Sequence, residues 1–435
     1  MLARLLAVGH EGVRIRPLGG SRGGEVRLGR WLRNKRVRPE EMFATARART
    51  AGLVHGRPVL VIHRQRRSPG GEDGEAVPDT TSLRDDGKDT GLYLHPAIAV
   101  DAEHGALLGL VSACFLRRAG RQAVHCNNRA LADKESRRWI EATTEAGTLL
   151  AAGAAHVTVV ADREGDIYEE FVCRPEAVEV VIRCHHDRLL ADRRKLFAAA
   201  AALPELGRHA VELPAKPGRQ KRTATLALRA SPVRIKRPQR NRAGEAKKLP
   251  PTVSLWLVEA REVDAPADAA AILWRLLTTH PVTTLAQAKL ITGFYRERWS
   301  IEQLFRVMKT KGFNIEAVRI EDTAPFETLA AATLIAAIHV QQMLGDRDGT
   351  AQRGLKDVFD PADQPALEAV CTTLEGKTER QKNPHPHGSL AYAAWVCARL
   401  GGWTGYYGKP GPVVMLHGYR RFKAMLDGWR IGRLV

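Results

Sequence analysis

The pattern of apolar and polar positions changes character several times along the chain, and each change marks an element. "RPVLVI" (57–62), "HVTVVA" (156–161) and "VEVVIR" (178–183) are short apolar runs rich in β-branched residues. They read as buried strands. "LYLHPAIAV" and "ALLGLVSACFL" flank the turn "DAEHG" and read as a hairpin. "KESRRWIEATTEAGTLLAAG" has helical periodicity and stops at Gly153. Asp166 and Glu169 have the spacing of a capping box, so a helix is expected from about Asp166. That gives a strand–helix–strand unit with parallel strands and a right-handed crossover.

From 186 to 282 the pattern turns β-rich, with "TATLALRA", "TVSLWLVEA" and "AAILWRLLTT" as strand candidates. "TTLAQAKLITGFYRERWSIEQLFRVMKTKG" then reads as one long helix, capped by Thr283 or Thr284 and stopped near Gly312. "FETLAAATLIAAIHVQQML" and "LAYAAWVCARLGG" are further helices, and "EGKTERQKNPHPHGS" is a polar linker. The first 30 residues read as Gly/Arg-rich coil, followed by a helical patch at "RPEEMFATARART". No stretch approaches the roughly 18 apolar residues of a membrane span, and the start is too interrupted for a signal peptide. The expected segments are 1–57, 58–185, a β-rich insertion at 186–282, 283–345 and a helical region at 346–435.

Composition adds a partner class. The chain's 435 residues call for two or three structural units. Its 67 Lys+Arg against 48 Asp+Glu give +19, a field suited to a polyanion such as nucleic acid, although an Arg-rich codon usage gives the same excess. Residues 216–248 hold twelve Lys/Arg and one acid, Glu245. The six cysteines form no C-x-x-C pair and read as reduced thiols of a cytoplasmic protein.

Two places hold candidate chemistry. Tyr295, Arg298, Glu302 and Lys309 are spaced 3, 4 and 7 apart. At about 100° per residue they fall within roughly 60° of one another on a continuous helix. Such a stripe is either a solvated face with routine ion pairs or a surface for an anionic ligand. Asp162 closes "HVTVVA" at a strand's carboxyl end, where α/β sheets place ligands, and turn formation is its other reading. Two carboxylates distant in sequence, in a basic chain, suit divalent metal and phosphodiester chemistry.

Together these residues resemble a known family. Tyr295-x-x-Arg298-x-x-x-Glu302-x-x-x-x-x-x-Lys309 is similar to the YREK signature of the bacterial insertion-sequence-four group of DDE transposases. "VVADREGDIY" resembles that group's second-Asp motif, and "DKESRRW", the approach to the signature helix and "ARLGGW" resemble further segments, covering roughly residues 32–435. The resemblance implies an α/β fold: an RNase H-like catalytic core, a mixed sheet flanked by helices, with a β-rich insertion and a helical C-terminal region. It implies cleavage at element ends and strand transfer with two Mg²⁺ (or Mn²⁺) ions. The partners it implies are double-stranded DNA, as element ends and target, and a second copy in a synaptic homodimer, with no membrane. The expected location is cytoplasmic, on the nucleoid when DNA-bound. Asp162 and Glu302 correspond to the second and third metal ligands. Tyr295, Arg298 and Lys309 correspond to phosphate contacts, Trp274 to a base-stacking residue and Arg183 to a DNA-contacting arginine. Trp274 also reads as a core strand aromatic, and Arg183 as a surface cation.

The pattern departs from the family at the first Asp. That residue is expected two positions past the first strand's apolar run, yet His63 and Arg64 follow "RPVLVI". "DTTSL" occurs later, at Asp79. Either Asp79 folds back to complete a catalytic and metal-binding triad, or the copy is an inactive DNA-binding relic. The end-recognition domain ahead of the first strand is also short.

Overall fold

A computed structural model describes residues 1, 5–6, 13–64, 82–85, 90–119, 134–213, 221–238, 248–266, 270–309, 312–318, 320, 322–406 and 408–432. The strands are β1 (Pro58–His63), β2 (Ser82–Asp85), β3 (Thr90–Asp101), β4 (Leu107–Ala119) and β5 (His156–Ala161). They continue with β6 (Val178–Arg183), β7 (Gly207–Leu213), β8 (Arg222–Lys236), β9 (Thr252–Val263) and β10 (Leu273–Thr278). The chain divides into two compact units. One comprises Gly56–Arg67 and Gly120–Trp299, the other Met1–His55, Ser68–Ala119 and Ser300–Val435.

In the first unit the strands run in the order β1-β5-β6-β10-β9-β8-β7. β1, β5 and β6 are parallel, and the rest are antiparallel. The sheet is thus mixed, and the unbroken apolar runs of β1 and β5 are explained by burial on both faces: Val59–Ile62 and Val159–Ala161 are all 0–1% exposed. The strand–helix–strand unit between β5 and β6 forms, but not with the expected cap. Asp162 accepts the Arg163 N–H and opens a 3₁₀ turn, Arg163–Gly165. The helix begins only at Tyr168, after Ile167, with no side-chain cap. Asp166 is held elsewhere: its oxygens accept the backbone N–H groups of His185 and His186 at 2.8 and 2.9 Å, and its Oδ1 accepts Arg188 Nη2 at 2.6 Å. The expected helix 134–153 is two pieces, Arg137–Ala146 and Thr148–Ala151, meeting at Gly147.

The single long helix expected to run to Gly312 is also two helices, Leu285–Glu297 and Ser300–Met308. Thr284 and Gln287 form the reciprocal capping box that starts the first. At its end the Arg298 N–H bonds to the Tyr295 carbonyl and the Trp299 N–H to the Arg296 carbonyl, three residues back rather than four. This tightening ends the first helix, so the four signature residues do not lie on one continuous helix.

In the other unit β2, β3 and β4 pair antiparallel, and β3–β4 is the expected hairpin. The start of the chain departs from coil: helices run over Ile15–Gly19, Arg22–Leu32 and Pro39–Ala51. Ser21 caps the second by accepting the Gly24 N–H at 3.1 Å. The glycines that suggested disorder instead allow a close corner, because a Cβ on Gly24 would run into the Gly19 carbonyl. Gly24→Ala is therefore expected to destabilise this unit by about 1–3 kcal/mol, seen as a lower denaturant midpoint at unchanged m-value.

The helix Thr323–Gly345 is 23 residues long, and an 18-residue stretch of it has a mean hydropathy of 1.3, long and apolar enough by composition to match a membrane span, contrary to the sequence expectation. Most of it is buried in the unit's core, against the Pro39–Ala51 helix and β4 among others. Gln342 Nε2 donates to the Leu108 carbonyl at 2.6 Å, and the buried Arg353 donates to the Leu107 carbonyl and to Asp357. Two helices that the sequence pattern did not mark, Gln364–Leu374 and Pro412–Gly432, complete the C-terminal region.

Candidate active site

The carboxyl ends of the three parallel strands set the first layer. β1 pairs Ile62 with Val160, so continuing that register puts position 64 beside 162. β5 pairs Ala161 with Ile182, so 162 lies beside 183. The row across the strand ends therefore reads Arg64, Asp162, Arg183. A helix and an antiparallel strand supply the rest. Tyr295 donates its hydroxyl to Asp162 Oδ1 at 3.3 Å, and Arg298 Nη1 stands 3.3 Å from Oδ2. Arg183 Nη1 reaches the Tyr295 hydroxyl at 3.5 Å, and Nη2 donates to the Leu273 carbonyl at 3.3 Å. The Trp274 ring meets that of Tyr295 edge-on, with centroids 5.4 Å apart. Five of the residues singled out in the sequence, Asp162, Arg183, Trp274, Tyr295 and Arg298, thus form one cluster.

Tyr295 and Arg298 are not a solvated face. Tyr295 is 1% exposed and Arg298 4%. The Arg298 guanidinium lies 5.5 Å from the Tyr295 ring centroid and 4.9 Å from that of Trp299, so two aromatic faces fix its position. The Asp162 side chain keeps 27% of its surface open. Burial opposes its ionisation, but Arg298, the Arg163 N–H, Arg183 and Arg64 together outweigh burial and hold its pKa below the ordinary carboxylate range. Burial and the neighbouring Asp162 raise the Tyr295 pKa, against a smaller opposing pull from Arg298 and Arg183. The phenol stays neutral and remains a donor. Next to Arg64, the His63 ring is buried 4.3 Å from that of Trp139, and burial lowers its pKa to about 3. It is neutral at physiological pH.

Glu302 and Lys309 belong to the other unit, on and just after the Ser300–Met308 helix. Glu302 is half-buried, and Lys309 is 8% exposed with its Nζ 2.8 Å from Glu316 Oε1. Asp79 lies outside the described residues.

Two features of the site were not legible beforehand. Trp299, the next residue along the chain, stacks on Arg298 where the helix breaks, and Arg188 holds Asp166 across 22 residues with no shared motif. Arg64, at the position where the resemblance expects the first Asp, is level with Asp162 in the strand register.

A family model described as a transposase DDE domain matches residues 116–338. That span is just over half of the 435 residues and takes in Asp162 and all four signature positions. The chain belongs to this family. Its mixed sheet flanked by helices is compatible with the RNase H-like form of such domains, and membership implies DNA as the partner and use of a divalent metal. The described surroundings of Asp162 do not fit that metal: one carboxylate faces three guanidiniums, and its oxygens already take a phenol, a backbone N–H and an ion pair. That donor set suits an anion. Among the described residues one group of three metal-ligand types comes together, Asp101, Glu103 and His104 in the β3–β4 turn. There Asp101 Oδ1 accepts the Glu103 and His104 N–H groups, which is turn formation.

Proposed function

We propose that the protein is a DNA transposase of the YREK-signature group, acting at element ends as a homodimer. The convergence of Asp162, Arg183, Trp274, Tyr295 and Arg298, drawn from two strand ends, a third strand and a helix end, supports this reading. Within it, Arg183, Arg298 and Tyr295 bind phosphate oxygens of a DNA end, and Trp274 stacks on a base, a contact worth about 1–3 kcal/mol. Lys309 is a further phosphate contact. For cleavage, Asp162 and Glu302, with Asp79 as the candidate for a third carboxylate, would have to hold the metal, which the three guanidiniums around Asp162 oppose in the described arrangement. Mg²⁺ or Mn²⁺ is the ion the family's chemistry uses.

A second reading, DNA-end binding without cleavage, is favoured by Arg64. A cation level with Asp162 at the strand end where the group carries its first carboxylate repels a divalent ion and attracts phosphate. Oligonucleotides bearing the element's inverted-repeat ends separate the two. The first reading expects Mg²⁺-dependent nicking by the unmodified chain. The second expects binding alone, with nicking gained by Arg64→Asp. No preference for inverted-repeat ends over unrelated duplex would overturn both.

A further inference from the structure

On another part of the same sheet, a carboxylate is surrounded by arginines. Glu259 lies on β9, with Arg229 of β8 and Arg275 of β10 directly opposite it. Arg261 is two residues along β9, on the same face. Glu259 is 0% exposed and accepts Arg229 Nη1 at 3.0 Å, Arg275 Nε at 2.8 Å and Arg261 Nε at 3.2 Å. Burial opposes its ionisation, and the arginines overcome this and lower its pKa.

One guanidinium would neutralise this carboxylate, and three leave a local charge of +2 (three cations less one anion). Each guanidinium has five N–H donors, whereas a carboxylate accepts about four bonds in all. The arginine side chains are 22%, 40% and 17% exposed, so part of this donor surplus is open to solvent. Arg229 Nε is buried with no hydrogen-bond partner among the described residues. The array is also rigid: the Arg275 guanidinium sits 4.4 Å from the Phe197 ring centroid, on the short helix Leu196–Ala201 that packs against β9. Guanidiniums held in place lose little further freedom on binding, and planar forks match phosphate oxygens.

We infer that this face of β8, β9 and β10 is a second DNA-backbone contact, in which Glu259 holds Arg229, Arg261 and Arg275 as a fixed array for phosphodiester oxygens. The ligand class is phosphate rather than base, so the contact carries no sequence preference. The inference rests on the chain acting on DNA and places a surface outside the Asp162 cluster.

The test is fluorescence anisotropy of the full chain with a random-sequence duplex across a salt series. Arg261→Gln removes the most open arginine and leaves two to neutralise Glu259. It is expected to weaken binding by roughly 5–20-fold and to flatten the salt dependence by about one counterion, with an unchanged thermal midpoint. Wild-type affinity and slope in the folded variant would overturn the inference. A second measurement needs no variant: duplex DNA should slow phenylglyoxal modification of Arg261 several-fold, and equal rates with and without DNA would also overturn it. Arg298→Gln assayed alongside on inverted-repeat ends reports the Asp162 cluster separately. If that variant loses end binding while Arg261→Gln behaves as wild type, this contact fails and the transposase reading stands. A wild-type chain that binds no duplex sinks both.

Discussion

Asp166→Ala is expected to lower the stability of its unit by about 3–5 kcal/mol, the largest single effect in this set. Asp166 and Arg188 are buried together, with side chains 0% and 6% exposed, and Arg188 donates through both Nε and Nη2 to Asp166 Oδ1. Removing the carboxylate leaves a guanidinium in the interior and takes away the acceptor of the His185 and His186 N–H groups. Denaturant unfolding followed by circular dichroism measures the loss. Asp162→Asn is the control, four residues away in the same motif. It keeps a side-chain oxygen for the Arg163 N–H and for Arg298, so its stability loss is expected to be smaller, about 1–2 kcal/mol, and its main deficit to be in DNA binding. Equal destabilisation by the two substitutions would contradict this division of labour.

Glu170→Gln is expected to stabilise the protein at alkaline pH. Glu170 is fully buried, Thr143 Oγ1 donates to its Oε1, and its Oε2 has no hydrogen-bond partner among the described residues. Burial raises its pKa from 4.5 to about 7, against a smaller lowering by Thr143. The folded state therefore holds a proton that the unfolded chain releases. This contribution is fully present below about pH 4.5, declines as pH rises and is gone above about 7. At about 1.4 kcal/mol per pKa unit, the loss is roughly 3–4 kcal/mol. Glutamine cannot ionise, so the variant should exceed the parent by about 1–3 kcal/mol at pH 8.5 and converge with it near pH 5. Unfolding free energies at the two pH values check both sign and size; a constant difference would show that the carboxyl is not buried as a neutral group. His63 acts in the opposite direction. Its depressed pKa contributes stability that is present above 6.5 and lost as pH falls through about 3.

The elements most legible in the sequence were those set by local pattern. β5 and β6 coincide with the quoted apolar runs, and Thr284 caps its helix as its sequence context implies. What local pattern missed was decided by distant partners. Asp166 has the spacing of a cap, but Arg188, 22 residues on, offers it a stronger interaction than a helix N-terminus. The break at Arg298 and Trp299 falls where two side chains stack and one reaches Asp162, 136 residues earlier, so helical periodicity carried no trace of it. The glycines near the N-terminus were misread because composition records their flexibility, whereas the corner at Gly19 and Gly24 uses their size. The candidate site was legible as residue types, down to Arg64 at the position of the expected first Asp, whereas the convergence of Arg183 and Arg298 on Asp162 came only with the tertiary structure.

The β3–β4 hairpin has a consequence for synthesis. The Leu107 and Leu108 carbonyls receive their side-chain donors from Arg353 and Gln342. A ribosome adding about 5–20 residues per second needs on the order of ten to fifty seconds to reach those donors after making β4. Until then the apolar strand waits without its covering helix. When Thr323–Gly345 emerges, it is a greasy segment whose hairpin partner was made long before. Chaperone demand should therefore concentrate late in translation, and chains truncated before residue 323 should be bound by holdases far more than full-length chains.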